Sequence, residues 1–413
     1  MSPATVALIA LLVTIVLSMA TRLNVGVVAI ALAWAVGWYA SLGADEIVRG
    51  FPAGLFLTLT GVTMLFAVVQ VNGTLERLTL RAVSLARGRL VWIPLVFFAV
   101  AGVISSAGPG AIAAVALIAP IALATATRYG ISPFLMALMV TNGANAGLLS
   151  PISSVGVIAN TKMAEAGLGG HEAVVWLGNF ITHLLVALAA YLALGGTKLG
   201  NTTVAGAGPE APMSRLQRLT VVVVLLWIAG VLLFRLPLGL SAFVAAAVLL
   251  AAGAADETVV IRQMPWGVTL MVCGMSVLVS LLERTGGMAL FSGMLAQLAG
   301  PNSINGIVAF VTGAISSYSS TSGVVLPAFL PMAGSLAEQA GGANPLAVAL
   351  SINIGSSLVD VSPLSTLGAL CVTNIVDPAA SRKLFRLLLA WGLAMIPIGA
   401  LLAYLLAPIL AGL

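Results

Sequence analysis

Four polar stretches break the long apolar runs of this chain: ISSAGPG at 104–110, TNGANAGLLSPISS at 141–154, ISSYSSTSG at 315–323 and NIGSSLVDVSPLST at 353–366. Their polar side chains are Ser, Thr, Asn and one Tyr, with Asp360 the only acid and no Lys or Arg in any of them. Such groups bind by hydroxyl, amide and backbone contacts. Anions are also drawn to half-helix N-termini, by about 0.3–1 kcal/mol at exposed sites and more when partly buried. Carbonyl and hydroxyl oxygens equally suit a small hard cation, and a cation beside a carboxylate cancels charge that lipid penalises. In the two longer stretches Ser150-Pro151 and Ser362-Pro363 follow a Gly-bearing polar run. Proline lacks the amide proton and opens the hydrogen-bond ladder there, freeing backbone groups for a ligand. A single Ser or Gly in a membrane helix usually serves close packing. Four breaks in two matched pairs point further, because irregular backbone at membrane depth lines a cavity.

The elements that hold these stretches must lie in lipid. Of 413 residues 61% are hydrophobic and 7% charged, against about 25% charged in a soluble domain. A soluble enzyme is excluded, and so is nucleic-acid binding, because the basic residues behind the +5 net charge are scattered instead of clustered. Cys273 and Cys371 lie in apolar runs at unrelated spacing, which indicates neither a disulfide nor a zinc site. The opening MSPATVALIALLVTIVLSMATR lacks a basic start and reads as a first membrane helix, with no cleaved signal.

The chain repeats itself at an offset of 211 to 213 residues. Arg22-Leu23-x-x-Gly26 recurs as Arg235-Leu236-x-x-Gly239, Asp45-Glu46 as Asp256-Glu257, Gly61 as Gly274, and Gly102-x-Ile-Ser-Ser106 as Gly313-x-Ile-Ser-Ser317. Gly143 with Ser150-Pro151-x-Ser153-x-x-Gly156 recurs as Gly355 with Ser362-Pro363-x-Ser365-x-x-Gly368. The first repeat is expected over 1–195, with helices at 4–21, 24–43 and 52–71, a polar arm at 72–90, a re-entrant hairpin at 91–127, an interrupted span at 133–162 and a helix at 172–195. Residues 196–216 form a cytoplasmic linker. The second repeat, 217–413, has helices at 217–234, 238–255 and 265–283, a hairpin at 303–342, an interrupted span at 344–374 and a last helix at 387–411. Five crossings per half is an odd number, so the repeats are inverted in an all-α polytopic fold. With both termini outside, 13 of the 17 Lys and Arg fall inside, Arg22 and Arg87 among them, and only Arg49, Lys162, Arg235 and Arg284 outside. Trp38, Trp92, Trp176 and Trp266 stand near helix ends as interfacial anchors.

Asp360 matches Leu148 in the other repeat and breaks the symmetry; it reads as a cation ligand or proton carrier, or as a structural acid near an aqueous mouth. His183 reads as a packed helix residue before a proton relay, and His171 carries no signal.

Inverted repeats with serine-bearing hairpin tips and Gly-then-Ser-Pro breaks resemble the ion transporter superfamily, which includes the divalent anion:sodium symporters. The short chain most resembles its MatC-type malonate and C4-dicarboxylate carriers. By that resemblance Ser106, Asn142, Ser150, Pro151, Ser153, Ser319, Ser320, Thr321, Ser362, Pro363 and Ser365 would contact substrate, and Ser105, Gly143, Asn145, Ser316, Ser317, Ser356 and Ser357 would hold sodium. Neither tip reads Ser-Asn-Thr as in the symporters, and their Pro-Pro-Asn is replaced by Pro151-Ile-Ser153 and Pro363-Leu-Ser365. The resemblance implies a homodimer in the cytoplasmic membrane and elevator-like transport of a small di- or tricarboxylate. Coupling would be to sodium, or else to protons, with no cofactor. The alternatives are a cation/proton antiporter or proton-coupled anion exporter that uses Asp360, and, from another class, an intramembrane serine hydrolase with His183 as base.

Overall fold

The computed structural model describes residues 1–20, 23–84, 89–200, 212–297, 299–317, 319–375 and 377–412. Arg22, Arg87, Tyr318 and the central part of the linker, residues 201–211, lie outside the described residues. Among those described, every regular element is helical. The first half runs α1 (Pro3–Ala20), α2 (Val25–Tyr39), α3 (Ala44–Val48), α4 (Ala53–Val71), α5 (Thr74–Ser84), α6 (Ile93–Ala107), α7 (Gly110–Tyr129), α8 (Pro133–Leu148), α9 (Ser154–Glu165) and α10 (Glu172–Ala193). The second half repeats that order as α11 (Arg215–Phe234), α12 (Leu238–Ala251), α13 (Glu257–Gln263), α14 (Trp266–Arg284), α15 (Gly287–Ala296) and α16 (Ile304–Ser316). A returning arm of a π-turn, α17 (Leu326–Phe329) and α18 (Ala333–Gln339) then leads to α19 (Pro345–Leu358), α20 (Thr366–Thr373) and α21 (Pro378–Leu410).

Seven of the described helices are long and apolar enough to cross a membrane, and α16 meets its returning arm at 119°, doubling back as a hairpin. The fold is that of an all-helical polytopic membrane protein. The centre belongs to the interrupted spans: every residue from 135 to 150 and from 346 to 359 is buried. Each span starts the same way. Ser132 accepts from Leu135 N and Asn344 from Leu346 N, with Pro133 and Pro345 in the first turn, where a missing amide proton costs nothing. Trp38, Trp92, Trp176 and Trp266 are exposed, as interfacial anchors are.

The two halves are crossed, not merely adjacent. α2 packs on α14 and α4 on α12, so the second helix of each repeat meets the third span of the other. Exchanging the halves maps one crossing onto the other, which is a two-fold relation. Glycines set both distances. A Cβ on Gly274 would lie 2.3 Å from Gly26 O, and one on Gly61 would lie 2.2 Å from Gly239 O. Within each half the same device seats hairpin on span: a Cβ on Gly143 would lie 2.2 Å from Phe98 O, and one on Gly355 2.3 Å from Ala309 O.

The structure differs from the sequence expectation in four places. The arm at 72–90, read as an interfacial helix from Arg77, Arg81 and Arg89, holds α5, but its counterpart α15 fills 287–296, where no element was expected. Short helices α3 and α13 precede α4 and α14; Glu46 accepts from Gly43 N and Asp256 from Val259 N, which explains why Asp-Glu recurs. The helices expected at 24–43 and 238–255 stop at Tyr39 and Ala251. The last helix starts at Pro378, nine residues before 387, under an Asp377 cap on Ala380 N.

Alanine favours a helix over glycine by about 1 kcal/mol, whereas overpacking costs about 1–3 kcal/mol. Gly274→Ala, facing fixed backbone, is therefore expected to lower the melting midpoint of the detergent-solubilised protein. Gly54→Ala, with open space around its Cβ, is expected to leave it unchanged or raise it.

Candidate functional site

The first break lies between α8 and α9. Ser150 donates to Ser106 O (2.8 Å), and Ser154 N donates to Gly108 O (3.1 Å), which ties the first hairpin tip to the restarting helix. Ser153 caps α9 by accepting from Gly156 N (3.0 Å) while its hydroxyl donates back to Leu148 O across Pro151. Gly156 has to be glycine, since a Cβ would lie 1.8 Å from Ser150 O. At the tip, Gly108 (φ 146°) holds a conformation that L side chains rarely adopt, and a Cβ there would meet the ring of Phe66.

The second break repeats this between α19 and α20. Ser365 donates to Asp360 O and Ser362 O across Pro363, Leu364 N donates to Ser362 Oγ (3.3 Å), and a Cβ on Gly368 would lie 2.3 Å from Ser362 O. The hairpin tip departs from its counterpart. Ser316 and Thr321 share a 2.6 Å hydrogen bond, Thr321 donates to Ser356 O (3.1 Å), and Ser320 accepts from Gly323 N (3.0 Å). Ser317 and Ser319 bond to carbonyls of their own helix, Gly313 O and Ile315 O, and Ser356 to Ile352 O.

Where the two spans meet, repeat-equivalent residues touch: Asn145 donates to the carbonyl of Ser357 (3.3 Å). Around this contact runs a buried network. His183 on α10 reaches Asn142 Oδ1 (3.1 Å) through Nδ1 and Ser357 Oγ (3.2 Å) through Nε2. Ser357 donates to Asn179 Oδ1 (2.8 Å), and Asn179 donates to Asn145 O (2.5 Å). Asn142, Asn145, Asn179, His183 and Ser357 are each no more than 1% exposed. Asn142 and Ser357 are therefore committed to the junction of α8, α10 and α19. The serine–histidine pair that a hydrolase would need is sealed inside it, with no access for a substrate. His183 joins the two halves through both ring nitrogens.

Three buried oxygens or hydroxyls at the breaks have no hydrogen-bond partner: Ser105 Oγ, Asn145 Oδ1 and Asn353 Oδ1. A buried polar atom left so costs about 1–3 kcal/mol, and a bound cation is one way to satisfy it. Gly143 contributes close approach, not a side-chain ligand. No cluster of three or more His, Cys, Asp or Glu is found among the described residues.

A cavity of about 40 Å³ lies between the halves. Ser319, Ser320, Thr321 and Ser322 of the second tip line one side with Asp360 and Thr366, facing Ala111, Leu148 and Val155 of the first half. Asp360 and its repeat mate Leu148 thus look into one space. The expected substrate residues are divided: Ser319, Ser320 and Thr321 line this cavity, Ser106 and Ser150 pair at the first tip, and Ser153, Ser362 and Ser365 stitch the breaks. Asn179 and Thr366 escaped sequence reading. Asn179 is one polar residue in an apolar helix without a repeat match. Lys162, expected on the outer side at the end of the interrupted span, is buried in α9, only 4% exposed.

Residues 1–148 match the family described as "Dicarboxylate carrier protein MatC N-terminus". Among solved structures, the YdaH transporter of Alcanivorax borkumensis is similar, with a TM-score of 0.58 and 17% sequence identity over 89% of this chain and 90% of that one. No curated protein matches in sequence. The family match thus reaches residues 1–148 and the structural likeness is one of fold: the first part of the chain is similar to the N-terminal region of MatC dicarboxylate carriers, on an all-helical polytopic fold similar to that of the YdaH transporter.

Proposed function

We propose that the chain is a secondary transporter of a small di- or tricarboxylate, of the size of malonate or succinate, coupled to sodium. The observation that carries this reading is the cavity between the halves, walled by hydroxyls and Asp360 and without Lys or Arg. A dianion entering beside an acid in a low-dielectric site needs positive charge brought with it. Sodium held near the unpaired Ser105, Asn145 and Asn353 oxygens supplies that charge. Ser316, Ser317 and Ser356, although already bonded within the protein, offer oxygens for a second cation around the other tip.

A water needs about 10–15 Å³ measured in this way, so about 40 Å³ holds a few waters and not a dicarboxylate. The second tip must withdraw to admit one. In an elevator-type cycle the hairpins and interrupted spans move against the crossed helices α2, α4, α12 and α14. The scaffold pairs two copies into a homodimer in the cytoplasmic membrane, with both termini outside, an orientation supported by the placement of 13 of 17 basic residues inside. Asp360 in the cavity favours one second reading, a proton-coupled exporter or cation/proton antiporter of the same superfamily.

Proteoliposomes with an inward sodium gradient are expected to take up radiolabelled malonate or succinate faster than with a proton gradient alone. Uptake of neither under either gradient overturns the symport reading. If, in addition, Asp360→Asn abolishes all pH dependence of cation flux, the antiporter reading stands instead. Ser150→Ala and Ser362→Ala are each expected to reduce uptake while leaving folded, monodisperse protein; unchanged kinetics in both would remove the serines from the site. Ser105→Ala is expected to raise the sodium concentration for half-maximal uptake about tenfold, equivalent to about 1.4 kcal/mol.

A further inference from the structure

A second charged space lies apart from the Ser-Pro breaks. A crevice of about 430 Å³ opens between the corner Arg49–Pro52, the α14 face with Ser280 and Glu283, and the end of α9 with Lys162 and Glu165. Gly50 lets the corner close on α14, since its Cβ would lie 3.1 Å from the Ser280 side chain. Lys162 is the telling residue. It lies eight residues into α9, about 12 Å along the axis from the restart of the broken span, with its side chain only 5% exposed. Its ammonium is held by Glu165 at 2.7 Å, whereas Glu165 itself is 47% exposed. A buried lysine in a membrane protein is costly and marks function by default. Here its counter-ion is the solvated member of the pair. The four charges facing the space are Arg49, Lys162, Glu165 and Glu283, and Arg49 is exposed at the rim.

We propose that this crevice is an access site for the carboxylate, in which one carboxylate of a small dicarboxylic acid displaces Glu165 from Lys162 and the other meets Arg49. The exchange conserves charge: Lys162 trades one carboxylate for another, and Glu165 returns to water. Its walls come from elements that the elevator reading places on opposite sides, α14 and the Arg49 corner against α9 and Pro331 of the second hairpin. Loading it therefore precedes movement. The ligand assignment rests on the carboxylate-transport reading, and the test separates the two.

Ala166 lines the crevice beside the pair, while native Cys273 and Cys371 are buried and offer little background labelling. In Ala166→Cys protein in detergent, malonate is expected to slow maleimide labelling at least threefold, and this protection is expected to vanish on adding Lys162→Gln and to return with Lys162→Arg. Labelling by a negatively charged thiosulfonate relative to a positively charged one is expected to fall in Lys162→Gln. In transport, Lys162→Gln should raise the apparent KM for malonate about tenfold with the maximal rate retained, and Glu165→Gln should lower it. Malonate that leaves labelling unchanged, in protein that transports malonate, overturns the access site and leaves the transport reading intact. Protection without any transport keeps the site and removes the transport reading. A Lys162→Gln protein that loses maximal rate at unchanged KM, with its labelling still malonate-sensitive, overturns the role of Lys162.

Discussion

At each break a serine two residues past the proline reaches back to a carbonyl before it, Ser153 to Leu148 at the end of α8 and Ser365 to Asp360 in the single turn after α19. An unpaired peptide group in hydrocarbon costs several kcal/mol. The stitch makes a broken span tolerable. It also fixes its geometry, because the helix can restart only where Gly156 or Gly368 lets the chain fold onto the serine carbonyl. Hairpin tips, cavity and crevice are all placed relative to these two restarts.

The breaks are held in register by polar contacts at the pseudo-two-fold. Individual hydrogen bonds between membrane helices average only about 0.6 kcal/mol, so the network of Asn142, Asn145, Asn179, His183 and Ser357 contributes orientation more than stability. Losing one member strands the others in a sealed space, where the penalty is larger than the bond. That asymmetry keeps His183, at 0% exposure, fixed in the network.

Much of the architecture was legible because symmetry supplied a second copy of each signal. Gly143 or Ser150 alone means little; each twice, at one offset, marks a break. The residues that escaped are those without a mate. Asn179 and His183 come from α10, and nothing equivalent marks α21. Lys162 stood at the end of the expected span, and hydropathy does not tell that α9 runs on to Glu165 and buries it. The helix α15 was missed because, unlike α5, it has no arginines to mark it as an arm. Within the site, hydrogen-bond direction decided the outcome: Asn142 and Asn145 share one motif, yet one turns to His183 and the other leaves an oxygen unpaired. Residue type does not encode that choice.

The crossed glycine contacts also set an order of assembly. The glycine faces of α2 and α4 meet α14 and α12, and those partners come 248 residues later from Gly26 to Gly274 and 178 later from Gly61 to Gly239. At about 5–20 residues per second, synthesis takes roughly 10–50 s to reach them. Through that interval α6, α7, α8 and α10 can already pack on one another, while Gly26 and Gly61 face lipid. The nascent first half is thus a finished hairpin domain beside an unfinished scaffold, and the bilayer must cover the glycine faces of those two helices until the second half is inserted.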